Sequence, residues 1–192
     1  LIYTIYGDSY DIGFDIEMKN MNKVLEKGAY SLNWQAAVPK TEKAMQMMRD
    51  KTAIYYRASG DVDNLNERSL EKESENLNSE NVNWVAFKSQ FFSQTLFVNG
   101  GTEAENAGFD NVTLTQTTPV LGPEGLSGDV VRVMEMKAPG VVKENNGLYR
   151  ASYTLSNLPL EYSILEDYGN DMTRQIALGW GPLKYVNMYL II

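Results

Sequence analysis

A chain of 192 residues with 43% hydrophobic and 22% charged side chains carries enough apolar surface to bury a core, so wholesale disorder is excluded and one all-β domain fits the length. The net charge of −8, from 25 acidic against 17 basic residues, argues against nucleic acid as a partner and against purely electrostatic attachment to anionic lipid. Cysteine and histidine are both absent, which removes disulfides, thiolate and imidazole metal ligands, Cys nucleophiles and Ser-His-Asp catalysis.

Taken in chain order, the elements are mostly strands. Leu1 begins directly in the apolar run Leu-Ile-Tyr-Thr-Ile-Tyr. Ile12, Phe14, Ile16 and Met18 then alternate with Asp11, Gly13, Asp15, Glu17 and Lys19, the pattern of a sheet with one wet face. Tyr30, Leu32 and Trp34 alternate with Ser31, Asn33 and Gln35. Pro39 to Asp50 predicts a short helix, capped by Thr41, with Ala44, Met45 and Met48 facing inward. Ala53 to Tyr56 returns to β-branched and aromatic residues. Residues 61–80 hold seven acidic and two basic residues and read as an exposed hairpin or loop.

Val130 to Met136 is a further strand, and Tyr149, Ala151, Tyr153 and Leu155 alternate with Arg150, Ser152 and Thr154. Turn signals stand between these runs at Asn99-Gly100-Gly101, Gly122 to Gly125, Ser127-Gly128-Asp129 and Asn145-Asn146-Gly147. The sum is an antiparallel sandwich over residues 1–157.

The segment 158–192 changes character. Pro159 predicts the start of a helix with Leu160, Ile164 and Tyr168 on one face, Leu165 beside them and Gly169 as terminator. Pro182 can start a second. Trp180, Tyr185 and Tyr189 are residue types that favour the bilayer headgroup zone, so this segment is expected to lie in the interface or lead into a span. A buried core helix is the other reading, and the pattern leaves both open. No run of about 20 apolar residues occurs. With no signal peptide and apolar residues at both ends, the chain reads as a domain cut from a longer polypeptide.

Paired carboxylates are the only acid–base device left: Glu103 with Glu105, Glu71 with Glu73, and Asp167 with Asp171. None sits in a positioning motif, and solvated surface charge accounts for each. Asp61 and Asp63 hint at a calcium loop whose remaining ligand positions do not follow. No dinucleotide, phosphate-loop or nucleophile-elbow motif is present, and no cofactor is implied. The most unusual run is Trp84 to Phe97, with aromatics at its start, middle and end joined by amides and hydroxyls. It reads as a core strand, or as a cleft in which Trp84, Phe91 and Phe92 hold a peptide or a glycan.

The same run resembles a strand in the first periplasmic domain of YidC-type membrane protein insertases, through Trp84, Ala86, Gln90, Phe91 and Phe92. The opening strand, the turn with Asp8 and Tyr10 and the alternating strand ending before Asn20 are similar to the same family. So are Tyr162 to Gly169 and the sequence Gly179-Trp180-Gly181. This resemblance implies a mostly β fold, an antiparallel super-sandwich of galactose-mutarotase type with one or two short C-terminal helices. It implies a place in the bacterial periplasm against the inner membrane, nascent membrane proteins as clients, and contacts with the Sec translocon subunits SecD and SecF. It transfers no catalytic residue, because the family's insertase activity belongs to a later helical bundle. A carbohydrate-binding or mutarotase-like sandwich and a surface adhesin are the competing classes.

Overall fold

The computed structural model describes residues 1–21, 23–25, 29–98, 108–119, 130–141, 143–145 and 147–176. The chain opens with β1 (Ile2–Ile5), β2 (Asp11–Lys19) and β3 (Ala29–Pro39), then a single helical turn, α1 (Met45–Arg49). β4 (Ala53–Ala58), β5 (Asp61–Asn64), β6 (Glu73–Leu77), β7 (Val82–Lys88) and β8 (Phe92–Val98) follow. β9 (Val112–Thr117), β10 (Val130–Val141), β11 (Lys143–Asn145) and β12 (Leu148–Pro159) complete the sheets; α2 (Tyr162–Asp167) and a 3-10 turn over Met172–Gln175 come last.

Two antiparallel sheets form. The large one runs β1-β2-β12-β8-β7-β4-β5, with β11 also paired to β12, and the small one runs β3-β10-β9-β6. The alternating residues do what their period requires: Ile54, Tyr56, Val85, Phe87, Leu96, Leu114, Met134, Met136 and Tyr153 meet between the sheets. Trp34 of β3 stacks on Phe87 of β7, centroids 3.8 Å apart. This fold is the mostly β sandwich expected from the sequence, with two short α-helices among the described residues.

The large sheet also has an outer core. Ala53, Tyr55, Trp84, Ala86 and Leu158 on its far face are covered by Leu165 of α2 and Met172 of the 3-10 turn. A six-residue helix is too short to persist alone, so this docking is what holds α2 in place. Gly169, Asn170 and Asp171 have φ of 62°, 51° and 59°, and this left-handed run turns the chain back across the sheet. Arg57 Nε donates to Asp171 at 3.1 Å, and Arg174 pairs with Asp61.

Three local expectations are corrected. Pro39 does not begin a helix: it is the last residue of β3, opposite Val130 of β10, and α1 starts only at Met45. Ala44 is the exposed N-cap, Thr41 makes no cap, and of the expected inward residues only Met48 is buried. Residues 61–80 are not one hairpin. β5 edges the large sheet and β6 edges the small one, so the acidic stretch is the crossing between sheets. Pro159 likewise ends β12 opposite Phe92, and α2 begins after the cap residue Glu161.

The crossing is anchored by two buried cations. Arg132, fully buried, donates through its guanidinium to the carbonyls of Asn66, Glu67 and Ser69 at 3.3, 2.9 and 3.1 Å. Lys88 Nζ lies 2.7 Å from Glu67 and 4.8 Å from the ring centroid of Tyr55, whose hydroxyl donates to the same carboxylate at 2.8 Å.

Candidate functional site

The sandwich opens into cavities at its two ends, both beside β3. At the Pro39 end a groove of about 300 Å³ lies between β3 and the inner face of the large sheet. Ala36 to Pro39 form one wall, Phe92 and Gln94 of β8 with Asn157 of β12 the other, and Phe87 and Met134 the floor. Gln94 and Asn157 are register partners, so their carboxamides stand side by side on one face.

A cavity of about 530 Å³ lies at the other end, walled by Tyr30, Phe109 and Tyr153 with Asp110, Asn111 and Arg150 at its rim. The hydroxyls of Tyr30 and Tyr153 hydrogen-bond, and Phe109 stacks on Tyr153 at 5.8 Å. Gly140 faces Tyr30 across the β3–β10 ladder, and a Cβ there would run into the tyrosine ring. Burial, reinforced by the hydrogen bond shared with Tyr30, pushes the Tyr153 hydroxyl far above the ordinary phenol range, so it stays neutral.

Of the sequence-predicted cleft residues, only Phe92 borders the groove. Trp84 is fully buried on the opposite face of the sheet, its indole N–H donating to the Asn170 carbonyl at 3.0 Å. Phe91 sits at the exposed β7–β8 turn, where its carbonyl accepts the Leu160 N–H at 2.9 Å. Trp180, Tyr185 and Tyr189 lie outside the described residues. Sequence reasoning missed Gln94, Asn157 and the Ala36–Pro39 wall. The alternation reaches only residues 30–35 and 149–155, Pro39 reads as a helix start, and the meeting of these residues depends on pairings between segments far apart in the chain.

Several of the described carboxylates are held in internal contacts. Glu73 accepts from the Asn66 N–H at 2.8 Å and from Gln116 at 3.1 Å. Asp171 holds Arg57, and Asp61 holds Arg174. Burial would raise the Glu67 carboxyl, but the Lys88 ammonium and the Tyr55 hydroxyl outweigh it and hold it below the ordinary range. Burial and the hydrogen bond to Asp11 push Tyr168 up to about 12. Among the described residues, no group of three or more acidic side chains is placed to hold a metal ion. No described helix is long and apolar enough to cross a membrane.

Two antiparallel sheets packed face to face, with a groove at each end, define a β-sandwich domain. The family comparison names the kind. Residues 1–180 match the family described as the YidC periplasmic domain, and the chain belongs to that family.

Relatives named membrane protein insertase YidC include one from Amoebophilus asiaticus, 24% identical over the whole chain and 30% of its own length. One from Porphyromonas gingivalis is 26% identical over the whole chain, again 30% of the relative. In Bacteroides fragilis the identity is 34% over 48% of this chain and 15% of the relative. The chain therefore spans under a third of the proteins it resembles.

Proposed function

We propose that this domain is a non-catalytic periplasmic support of a bacterial inner-membrane insertase, assisting the insertion and folding of nascent membrane proteins. The family match over residues 1–180 is the observation that carries the reading. The internal contacts that hold Glu67, Glu73 and Asp171 support its non-enzymatic part. The segment from residue 158 onward leads from the sandwich toward the bilayer, with Trp180, Tyr185 and Tyr189 seating it on the membrane surface. SecD and SecF are its protein partners, and nascent membrane proteins its clients.

Photocrosslinking tests this reading in the full-length protein in its own membrane. A photoreactive residue is placed at exposed positions such as Asp63, Glu71 and Gln94. Adducts with SecD or SecF from one face are the expected result. Crosslinks confined to soluble glycan-processing proteins would overturn it in favour of a carbohydrate-binding sandwich.

A further inference from the structure

We infer that β3 is a strand-addition site for an uncharged, extended polypeptide segment, seated in the groove beside the edge of the small sheet that no other described strand pairs. β3 is eleven residues long, about 36 Å of strand, and among the described residues it pairs on one side only, with β10. In an antiparallel edge strand every second residue turns its N–H and C=O outward. A row of alternating donors and acceptors at that spacing is matched by another extended backbone, and by neither a sugar nor an acyl chain.

Other edges in the described structure are blunted. β5 carries Asp61 and Asp63, β6 carries Glu73 and Glu75, and each is five residues or fewer. β1 lacks charge but has four residues, all exposed. β3 has no charged residue along its length, in a molecule whose net charge is −8. Its edge also faces a wall. β3 packs over β7 through Trp34 and Phe87 and over β12 through Tyr30 and Tyr153, while the large sheet continues past it to β2 and β1.

A strand added to β3 would lie over this shelf. One row of its side chains would meet Phe92, with the carboxamides of Gln94 and Asn157 within the same groove. No charged side chain lines the groove, so a charged occupant would lose its hydration without a counter-ion. The identity of the peptide as a client segment rests on the insertase reading above; the strand-addition geometry does not.

The test titrates the 192-residue chain with a capped, uncharged peptide of alternating Val and Thr, roughly eight residues long. Amide hydrogen exchange is followed by NMR. Binding should slow exchange of alternate β3 amides about tenfold or more and leave β5 and β6 unchanged. The same peptide N-methylated at alternate residues should not bind, and Phe92→Ala should weaken the parent peptide. Equal binding of the N-methylated peptide, protection appearing at β1 instead, or β3 amides fully protected before any peptide is added would each overturn the inference. None of these outcomes bears on the SecD and SecF crosslinks, so the two readings fail separately.

Discussion

Replacing Trp84 with alanine should unfasten α2 from the sandwich before it melts the sandwich itself. The indole is fully buried between β7 and the returning C-terminal segment, against Leu165 and Met172, and its N–H is bound to the Asn170 carbonyl. Large-to-small truncation of a buried Trp costs about 3–5 kcal/mol. Within that range, loss of the hydrogen bond accounts for about 0.5–1.5 kcal/mol. At a few degrees per kcal/mol for a domain of this size, the midpoint should fall by about 6–20 °C.

Trp84→Phe keeps most of the volume and loses the donor, so it should cost about 1–2 kcal/mol. Urea unfolding followed by circular dichroism measures both variants, and amide exchange locates the damage. Protection should be lost first over residues 162–176 and last over β9 and β10, which do not touch the site. A cost below about 1 kcal/mol for the alanine variant, or exchange rising equally in both regions, would refute the anchoring argument.

The Lys88–Glu67 pair should be asymmetric. Glu67→Gln strands an ammonium that is 4% exposed and should cost about 2–4 kcal/mol, whereas Lys88→Met leaves a carboxylate that is 23% exposed and should cost less; chemical denaturation of the two variants decides. Because Glu67 and Asp15 have folded pKa values below their ordinary 4.5 and 3.8, their stabilisation is complete above those values and fades as pH falls through the folded ones. The urea midpoint should therefore drop between about pH 5 and pH 2, less steeply in Glu67→Gln. Gly140→Ala should push the Tyr30 ring aside, cost about 1–2 kcal/mol and break its bond to Tyr153, while adding Tyr30→Ser should remove most of that penalty in a double-mutant cycle.

The strands with one wet face were legible because their sequence has a period of two, and β2, β3 and β12 appear where the alternation places them. β7 shows where that signal stops. It is buried on both faces, so Val82, Val85 and Phe87 enter one core while Trp84 and Ala86 enter the other, and periodicity gives no clue to either. Pro39 and Pro159 misled for a related reason. Each closes a strand at a position where it stands opposite Val130 or Phe92, and the pairing partner, not the proline, decides the local structure. The acidic character of 61–80 was legible; its division between two sheets was set by the backbone carbonyls that Arg132 gathers from some 65 residues away. The groove was the least legible, since Pro39, Gln94 and Asn157 meet only after three separate ladders have formed.

β12 sits between β2 and β8, and Ser152 bonds to Asp15 across 137 residues of chain. A newly made chain can pair β7 with β8 across residues 89–91 alone, but β2 has no partner on its inner side until nearly residue 159 is available. The large sheet must therefore close late and slowly, after a costly long-range search. Until then Ile12, Phe14 and Ile16 face water, and a premature stop would leave two half-sheets with bare edges. During synthesis the molecule is itself an aggregation-prone substrate, and its last long strand is the stitch that ends that exposure.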